Sequence, residues 1–156
     1  MSIKELEQAL SIIDDNPEDS FFVGVRGDDL ILEAESILEL KFPPTYKRFL
    51  KTLGAGNIAG QEFYGVINND IIDSTVPDGI WFTLSTREEY GLPDDMIVIG
   101  SIDDGTYVVL NAHKDNSELE ADVLEWHPET EEEYLIADDF GTYLLEKITT
   151  SLELNN

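Results

Sequence analysis

The chain contains no cysteine, only two histidines and few basic residues. Among 156 residues, 34 are acidic and 9 are lysine or arginine, which gives a net charge of −25. The lack of cysteine excludes disulfides and thiolate metal sites. A negative charge of this size repels nucleic acid phosphates and anionic lipid surfaces. We therefore expect neither a nucleic acid nor a membrane partner, and we expect any partner chosen by electrostatics to be basic.

Long apolar runs are also missing. No stretch approaches the roughly 18 apolar residues that a membrane span requires. The first fifteen residues are charged from the fourth onward and indicate an amphipathic helix rather than a signal peptide. Together with the absence of cysteine, this favours the cytoplasm. Because 42% of the residues are apolar, the length predicts one folded domain over residues 1–156.

Sequence signatures of catalysis are absent as well. The chain has no phosphate-binding loop, no dinucleotide fingerprint, no nucleophile elbow and no H-E-x-x-H pattern. His113 and His127 are expected beside strand ends in solvated loops, where a zinc site would still need a third ligand. Several adjacent aspartate pairs stand where helices are expected to begin, so capping explains them. We expect no enzyme activity, no cofactor and no metal.

Apolar residues at helical spacing predict five helices. The first ends at Asn16-Pro17, and the second is capped by Asp28 or Asp29. The third is the clearest, because Pro43-Pro44 enforces an extended entry and Gly54 or Gly56 supplies positive φ after its end. The remaining two are a helix over residues 78–90 and a closing helix capped by Asp138 or Asp139.

The strand signals lie mainly in the second half. Residues 61–67 indicate a strand leading to an Asn68-Asn69 turn, and residues 96–102 and 106–112 predict a hairpin of central strands. A further strand is expected over residues 121–126, flanked by loops at 114–120 and 128–134. This order predicts a single α+β domain with a mixed, mainly antiparallel sheet flanked by helices.

Four segments together resemble the SUKH superfamily, the cell-wall-assembly-regulator and immunity-protein type. They are "FPPTYKRFLKTLGAGNIAG", "MIVIGSIDDGTYVVLN", "VLEWHP" and "IADDFGTYLLEKI", within residues 28–150. The residues that carry the resemblance are Pro43, Pro44, Tyr46, Phe49, Leu50, Gly54, Gly56, Gly100, Gly105, Trp126 and Phe140. The glycine turn departs from the family by reading "GAGN", where an Asn-Gly pair is common.

The resemblance implies an α+β domain and, for bacterial members, a cytoplasmic immunity protein. Such a protein neutralises a cognate toxin of a polymorphic or contact-dependent system, and many of these toxins are nucleases. Other members are regulatory or scaffolding interaction modules, which is the alternative function. The family is not known for a catalytic constellation.

Charge is unevenly distributed along the chain. Five of the nine basic residues fall between Arg26 and Lys51, whereas residues 103–139 hold thirteen acidic residues and one basic residue, Lys114. Solubility alone is one explanation, and an electronegative binding face is the other. Trp126 is expected in the core and Tyr134 at the surface. The predicted partner-binding residues are Asp103, Asp104, Glu118, Glu120, Glu129, Glu131, Glu132, Glu133 and Tyr134.

Overall fold

The computed structural model describes residues 2–67, 78–102, 105–112 and 118–154, which form five helices and seven strands. The helices are α1 (Ser2–Asp14), α2 (Asp28–Leu38), α3 (Pro44–Thr52), α4 (Gly79–Tyr90) and α5 (Phe140–Leu154). The strands are β1 (Ser20–Phe22), β2 (Gly56–Ile58), β3 (Gln61–Phe63), β4 (Met96–Ile102), β5 (Thr106–Asn111), β6 (Asp122–Trp126) and β7 (Glu133–Ala137). The fold is therefore α+β, as predicted.

All five predicted helices are present, and most of their ends follow the expected rules. The Asp78 side chain caps α4 by accepting a hydrogen bond from Trp81 N–H. The Asp139 side chain caps α5 by accepting one from Thr142 N–H. The prediction for α2 is wrong, because Gly27 is the N-cap and Asp28 and Asp29 lie inside the first turn. There they face the positive end of the helix dipole.

The strands form two antiparallel sheets rather than the one that was expected. The smaller has the order β1-β2-β3 and the larger β4-β5-β6-β7. The predicted hairpin is confirmed as β4 and β5, but β4 is an edge strand and not a central one. Its outer edge is nevertheless satisfied, because Val98 N–H donates to Thr83 Oγ1 over 2.9 Å and Ile99 O accepts from Tyr64 N–H over 2.9 Å.

Strands β2 and β7 are not among the strands that the sequence predicts. Residues 133–134 were predicted as the end of an acidic loop, whereas they begin β7, which pairs with β6. Strand pairing uses backbone groups, so it tolerates acidic side chains that point to solvent. The short glycine-flanked segment of β2 gave no alternating pattern to detect. The predicted Asn68-Asn69 turn lies outside the described residues.

Both faces of the larger sheet are buried along Met96–Gly100 of β4 and Val108–Leu110 of β5, which explains why these two segments are apolar on both sides. One face, including Ile97 and Leu110, packs into the main core with α1, α3 and α5. The other face carries Val98 and Trp126 in a smaller cluster with residues from α4 and its neighbouring loops. Trp126 is 1% exposed, so its prediction as a core residue is confirmed.

The segment 64–66 joins the two sheets to α3 and α4. The backbone carbonyl of Tyr64 accepts a hydrogen bond from the Tyr46 hydroxyl of α3 over 2.9 Å. The Gly65 carbonyl accepts one from Gly79 N–H at the start of α4. Val66 N–H donates to the Gly54 carbonyl over 3.0 Å. Gly65 lies so close to Gly54 that a Cβ on Gly65 would stand 1.8 Å from the Gly54 carbonyl oxygen. Only glycine permits this approach.

We predict that Gly65→Ala destabilises the fold by about 3 kcal/mol or more, since backbone and not a flexible side chain meets the added methyl group. Gly27→Ala is the control, because nothing lies within 4 Å of its Cβ position. The control should cost less than about 1 kcal/mol. Urea unfolding of the two variants checks this, and equal losses would contradict the close approach at Gly65.

A buried carboxylate holds the connection between α2 and α3. Glu35 is 3% exposed, and its Oε2 accepts a hydrogen bond from Phe42 N–H over 2.7 Å. Its Oε1 lies 3.9 Å from Lys47 Nζ. A buried charge is tolerated when it is paired and hydrogen-bonded, so Glu35 acts here as an internal cap for the chain that enters α3.

Glu35→Ala should lower the free energy of unfolding by about 1–3 kcal/mol, because Phe42 N–H is then left without its acceptor. Glu33→Ala, on the exposed face of the same helix, should change it by less than about 0.5 kcal/mol. Chemical denaturation measures both. Similar values for the two variants would show that the buried carboxylate contributes nothing specific.

Candidate partner-binding surface

A surface cleft of about 350 Å³ lies where β5, β6, β7 and the end of α4 meet. Strands β6 and β7 meet at this end through the turn that follows Trp126, and α4 ends beside it at Tyr90. The cleft is lined by Tyr90, Gly105, Thr106, His127, Pro128, Glu129, Thr130, Glu132 and Tyr134. Neither lysine nor arginine is among these lining residues.

Two carboxylates and two tyrosines give this acidic cleft its chemistry. Tyr134 Oη donates to Glu132 Oε2 over 2.6 Å. This hydrogen bond raises the pKa of Tyr134 and lowers the pKa of Glu132, so Glu132 stays ionised and Tyr134 protonated near neutral pH. Across the acidic cleft from Tyr134, the negative charge of Glu89 is the main cause of the raised pKa of Tyr90, and the charge of Glu129 raises this pKa further.

His127 holds the turn that shapes the acidic cleft. Its Nε2 lies 3.0 Å from Glu125 Oε2, and its ring packs edge-on against Tyr134 with the centroids 5.4 Å apart. Its backbone N–H donates to Glu132 O over 2.9 Å. These contacts fix the orientation of Tyr134 relative to the carboxylates.

A row of aromatic rings supports Tyr90 from behind. The Tyr90 ring lies 6.4 Å from that of Tyr107, which lies 5.5 Å from Phe82. Phe82 stacks on Tyr64 at 5.1 Å, within the smaller core cluster. The exposed ring of Tyr90 therefore projects from a packed base, an arrangement that keeps an aromatic side chain rigid before binding.

Next to the acidic cleft, β7 exposes an apolar edge. It is the last strand of its sheet, and no other strand among the described residues pairs with its outer side. Three large apolar or aromatic side chains of β7 are exposed to solvent. Leu135 is 59% exposed and Tyr134 is 49% exposed, and Ile136 is exposed as well. Exposed edge strands usually carry charged residues that prevent pairing, so this apolar stretch suggests a contact surface. The exposure predicted for Tyr134 is confirmed.

The structure gathers part of the predicted partner-binding set. Glu129, Glu132 and Tyr134 line the acidic cleft. Glu131 and Glu133 are exposed beside it, in the turn and at the start of β7. Glu118 and Glu120 lie before β6, at the end of that strand away from the cleft, so they belong to a different part of the surface. Asp103 and Asp104 lie outside the described residues.

Glu120 has a place in the fold itself. Its Oε1 accepts a hydrogen bond from Thr45 Oγ1 over 2.9 Å and a longer one from Thr45 N–H over 3.4 Å. Thr45 is in the first turn of α3, whose N-cap, Pro43, makes no side-chain capping bond and whose first turn has no acidic residue. Glu120 thus supplies from a distant part of the chain the negative cap that α3 lacks locally.

Four further residues of this surface were absent from the predicted set. Tyr90 carries no sequence signal that separates it from the other tyrosines, and Leu135 and Ile136 stand in β7, which was not predicted. His127 was expected in a loop, and its role follows from a partner two residues away, Glu125. A short apolar run inside an acidic stretch is the one sequence signal that points to β7.

The acidic cleft offers carboxylates, phenol hydroxyls and aromatic faces, which together suit a positively charged group. Within the described residues, no three histidine or acidic side chains converge as a metal site requires, and His113 lies outside them. No helix in the described part of the chain is long and apolar enough to cross a membrane.

Fold and surface together define an α+β domain that carries an acidic cleft lined by two tyrosines. A family model described as SUKH_5, SMI1-KNR4 cell-wall, matches residues 1–149, and the chain belongs to this family. The match includes α1, which precedes the segments that carry the resemblance in the sequence. Proteins of the family are generally non-catalytic immunity or regulatory proteins.

The structural role of Glu120 can be separated from any role in binding. Glu120→Ala should lower the free energy of unfolding by about 1 kcal/mol through loss of the α3 cap. Glu129→Ala, on the exposed rim of the acidic cleft, should change it by less than about 0.5 kcal/mol. Thermal unfolding measures the difference, and an unaffected Glu120 variant would contradict the capping role.

Proposed function

We propose that this chain is an immunity protein that binds and neutralises a cognate toxin of a polymorphic or contact-dependent system. It acts in the cytoplasm, without catalysis, by covering a basic surface of the toxin. The observation that carries the proposal is the acidic cleft beside the exposed apolar edge of β7. Membership of a family in which immunity proteins are common supports it.

The two parts of this surface have different tasks. Carboxylates of Glu129 and Glu132 attract a basic partner and orient it during encounter, which affects the association rate more than the final affinity. Affinity needs desolvated anchors, and large exposed side chains such as Tyr134 and Leu135 are the type that supply them. The free backbone edge of β7 can in addition pair with an extended segment of the toxin.

A nuclease is the toxin class that this surface fits best. A nuclease domain needs a positively charged channel for its phosphate substrate, and a face rich in carboxylates is complementary to such a channel. The net charge of −25 adds a long-range attraction for a basic partner. Glu131 and Glu133 extend the negative charge along the rim of the contact. We assign Asp103, Asp104, Glu118 and Glu120 to a wider negative field around it.

An immunity gene is expected beside a large toxin gene with a variable C-terminal domain, and the test is coexpression of this chain with that C-terminal domain. Growth rescue and formation of a complex are expected, and the complex should weaken as salt rises from low to high concentration. Exposed charges are screened beyond about 8–10 Å near physiological salt. Absence of rescue would refute the immunity function and leave a regulatory or scaffolding module as the alternative.

Charge reversal locates the contact. The double variant Glu129→Lys with Glu132→Lys should lower the association rate at least tenfold and abolish rescue at low expression, since both changes place like charges against the partner. Glu33→Lys with Glu18→Lys, at two exposed positions outside the acidic cleft, makes the same change in net charge. Surface plasmon resonance compares the two.

Equal losses for the two charge-matched pairs would show that net charge matters and the acidic cleft does not. Leu135→Asp tests the β7 edge separately, because it adds negative charge while removing an apolar contact. It should increase the dissociation rate with little effect on association. An unchanged dissociation rate would exclude the β7 edge from the interface.

A further inference from the structure

A second cleft, of about 490 Å³, opens on another side of the molecule between the two sheets. Residues of β3 and the turn before it form one wall, the ends of β4 and β5 another, and α5 the floor. The residues that carry its chemistry are Glu62, Tyr64, Ser101, Tyr143 and Lys147. None of them belongs to the acidic cleft, and we call this one the inter-sheet cleft.

Tyr143 presents an unused hydroxyl to the inter-sheet cleft. The side chain is 2% exposed, and its ring is packed among Phe63 and Phe140 in the core. Its hydroxyl makes no hydrogen bond to any described residue, although Tyr143 lines the cleft. Burial raises the pKa of Tyr143 well above its ordinary value, so the hydroxyl remains a donor. The hydroxyl opens onto the inter-sheet cleft, where a ligand can reach it.

A pair of hydroxyls stands beside it. Tyr64 Oη and Ser101 Oγ are 3.0 Å apart, so one donates to the other and a donor or acceptor remains for a ligand. Burial also raises the pKa of Tyr64. The inter-sheet cleft therefore has three neutral hydroxyls at its base, two of them on side chains that are almost fully buried.

Two opposite charges line the same inter-sheet cleft without pairing. Lys147 Nζ lies 6.0 Å from the Tyr143 ring centroid and forms no ion pair within 4 Å with any described residue. Glu62 is exposed, and its charge contributes to the raised pKa of Tyr64. An ammonium and a carboxylate that share a cleft but do not neutralise each other are complementary to a ligand bearing both charges.

We propose that the inter-sheet cleft binds a small zwitterion of the amino acid type. The ligand carboxylate is held by Lys147 and the Tyr143 hydroxyl, and its ammonium group by Glu62. Net neutrality of the ligand matters, because the field of a chain with a charge of −25 opposes the approach of a simple anion. The site is separate from the toxin-binding surface and does not depend on the proposed function.

The experiment is titration of the ¹⁵N-labelled chain with single amino acids, using glycine, serine and leucine as probes at constant ionic strength. Acetate and ethylammonium are the matched controls, since each carries only one of the two charges. Saturable shifts at Ser101, Tyr143 and Lys147 are expected from at least one amino acid and not from the controls. Lys147→Met and Glu62→Gln should each weaken that binding about tenfold.

Tyr143→Phe removes only the hydroxyl and should also weaken binding while leaving the thermal unfolding midpoint nearly unchanged. Lys4→Met, on the exposed face of α1, removes a positive charge elsewhere and should have no effect. Absence of saturable binding by all three amino acids would overturn the proposal. Equal binding of acetate would overturn the zwitterion assignment, and an unaffected Lys147 variant would refute the site.

Discussion

The contact between Gly65 and Gly54 is the constraint on which most of this fold depends. Just after the smaller sheet, the Tyr64 carbonyl accepts a hydrogen bond from Tyr46 of α3, and the Tyr64 N–H donates to Ile99 of β4. The next carbonyl, that of Gly65, accepts a hydrogen bond from Gly79 at the start of α4. The backbone segments at Gly65 and Gly54 approach too closely to leave room for a Cβ on Gly65. This contact holds the smaller sheet close to α3 and to the larger sheet.

Features that depend on local sequence were predicted well. The cap at Asp139, the proline entry of α3 and the β4–β5 hairpin all follow from residues close together in the sequence. Features that depend on distant partners were not. The cap that Glu120 provides for α3 joins residues 75 positions apart, and no spacing rule in a single sequence can reveal it.

The candidate surface shows the same division. Acidic residues near the chain's end were visible as a charge bias, and three of the nine predicted residues do line one cleft. The charge bias could not show that the predicted acidic residues lie at opposite ends of β6. Glu118 and Glu120 precede this strand, and the residues of the acidic cleft follow it. The apolar edge of β7 was hidden for the opposite reason, since Leu135 and Ile136 would also suit a core strand.

Acidity therefore has more than one physical role in this chain. Glu35 is buried and holds backbone, Glu120 caps a helix, Glu125 orients His127, and only the remaining exposed carboxylates are available for a partner. A charge of −25 costs stability through self-repulsion, and the ion pairs of the few basic residues with α2 and α1 offset little of it. Like charge on two copies of the chain opposes their approach, and this repulsion acts against pairing of the apolar edge of β7 with itself. Under the proposed function, the same charge would favour a basic partner over a second copy of the chain.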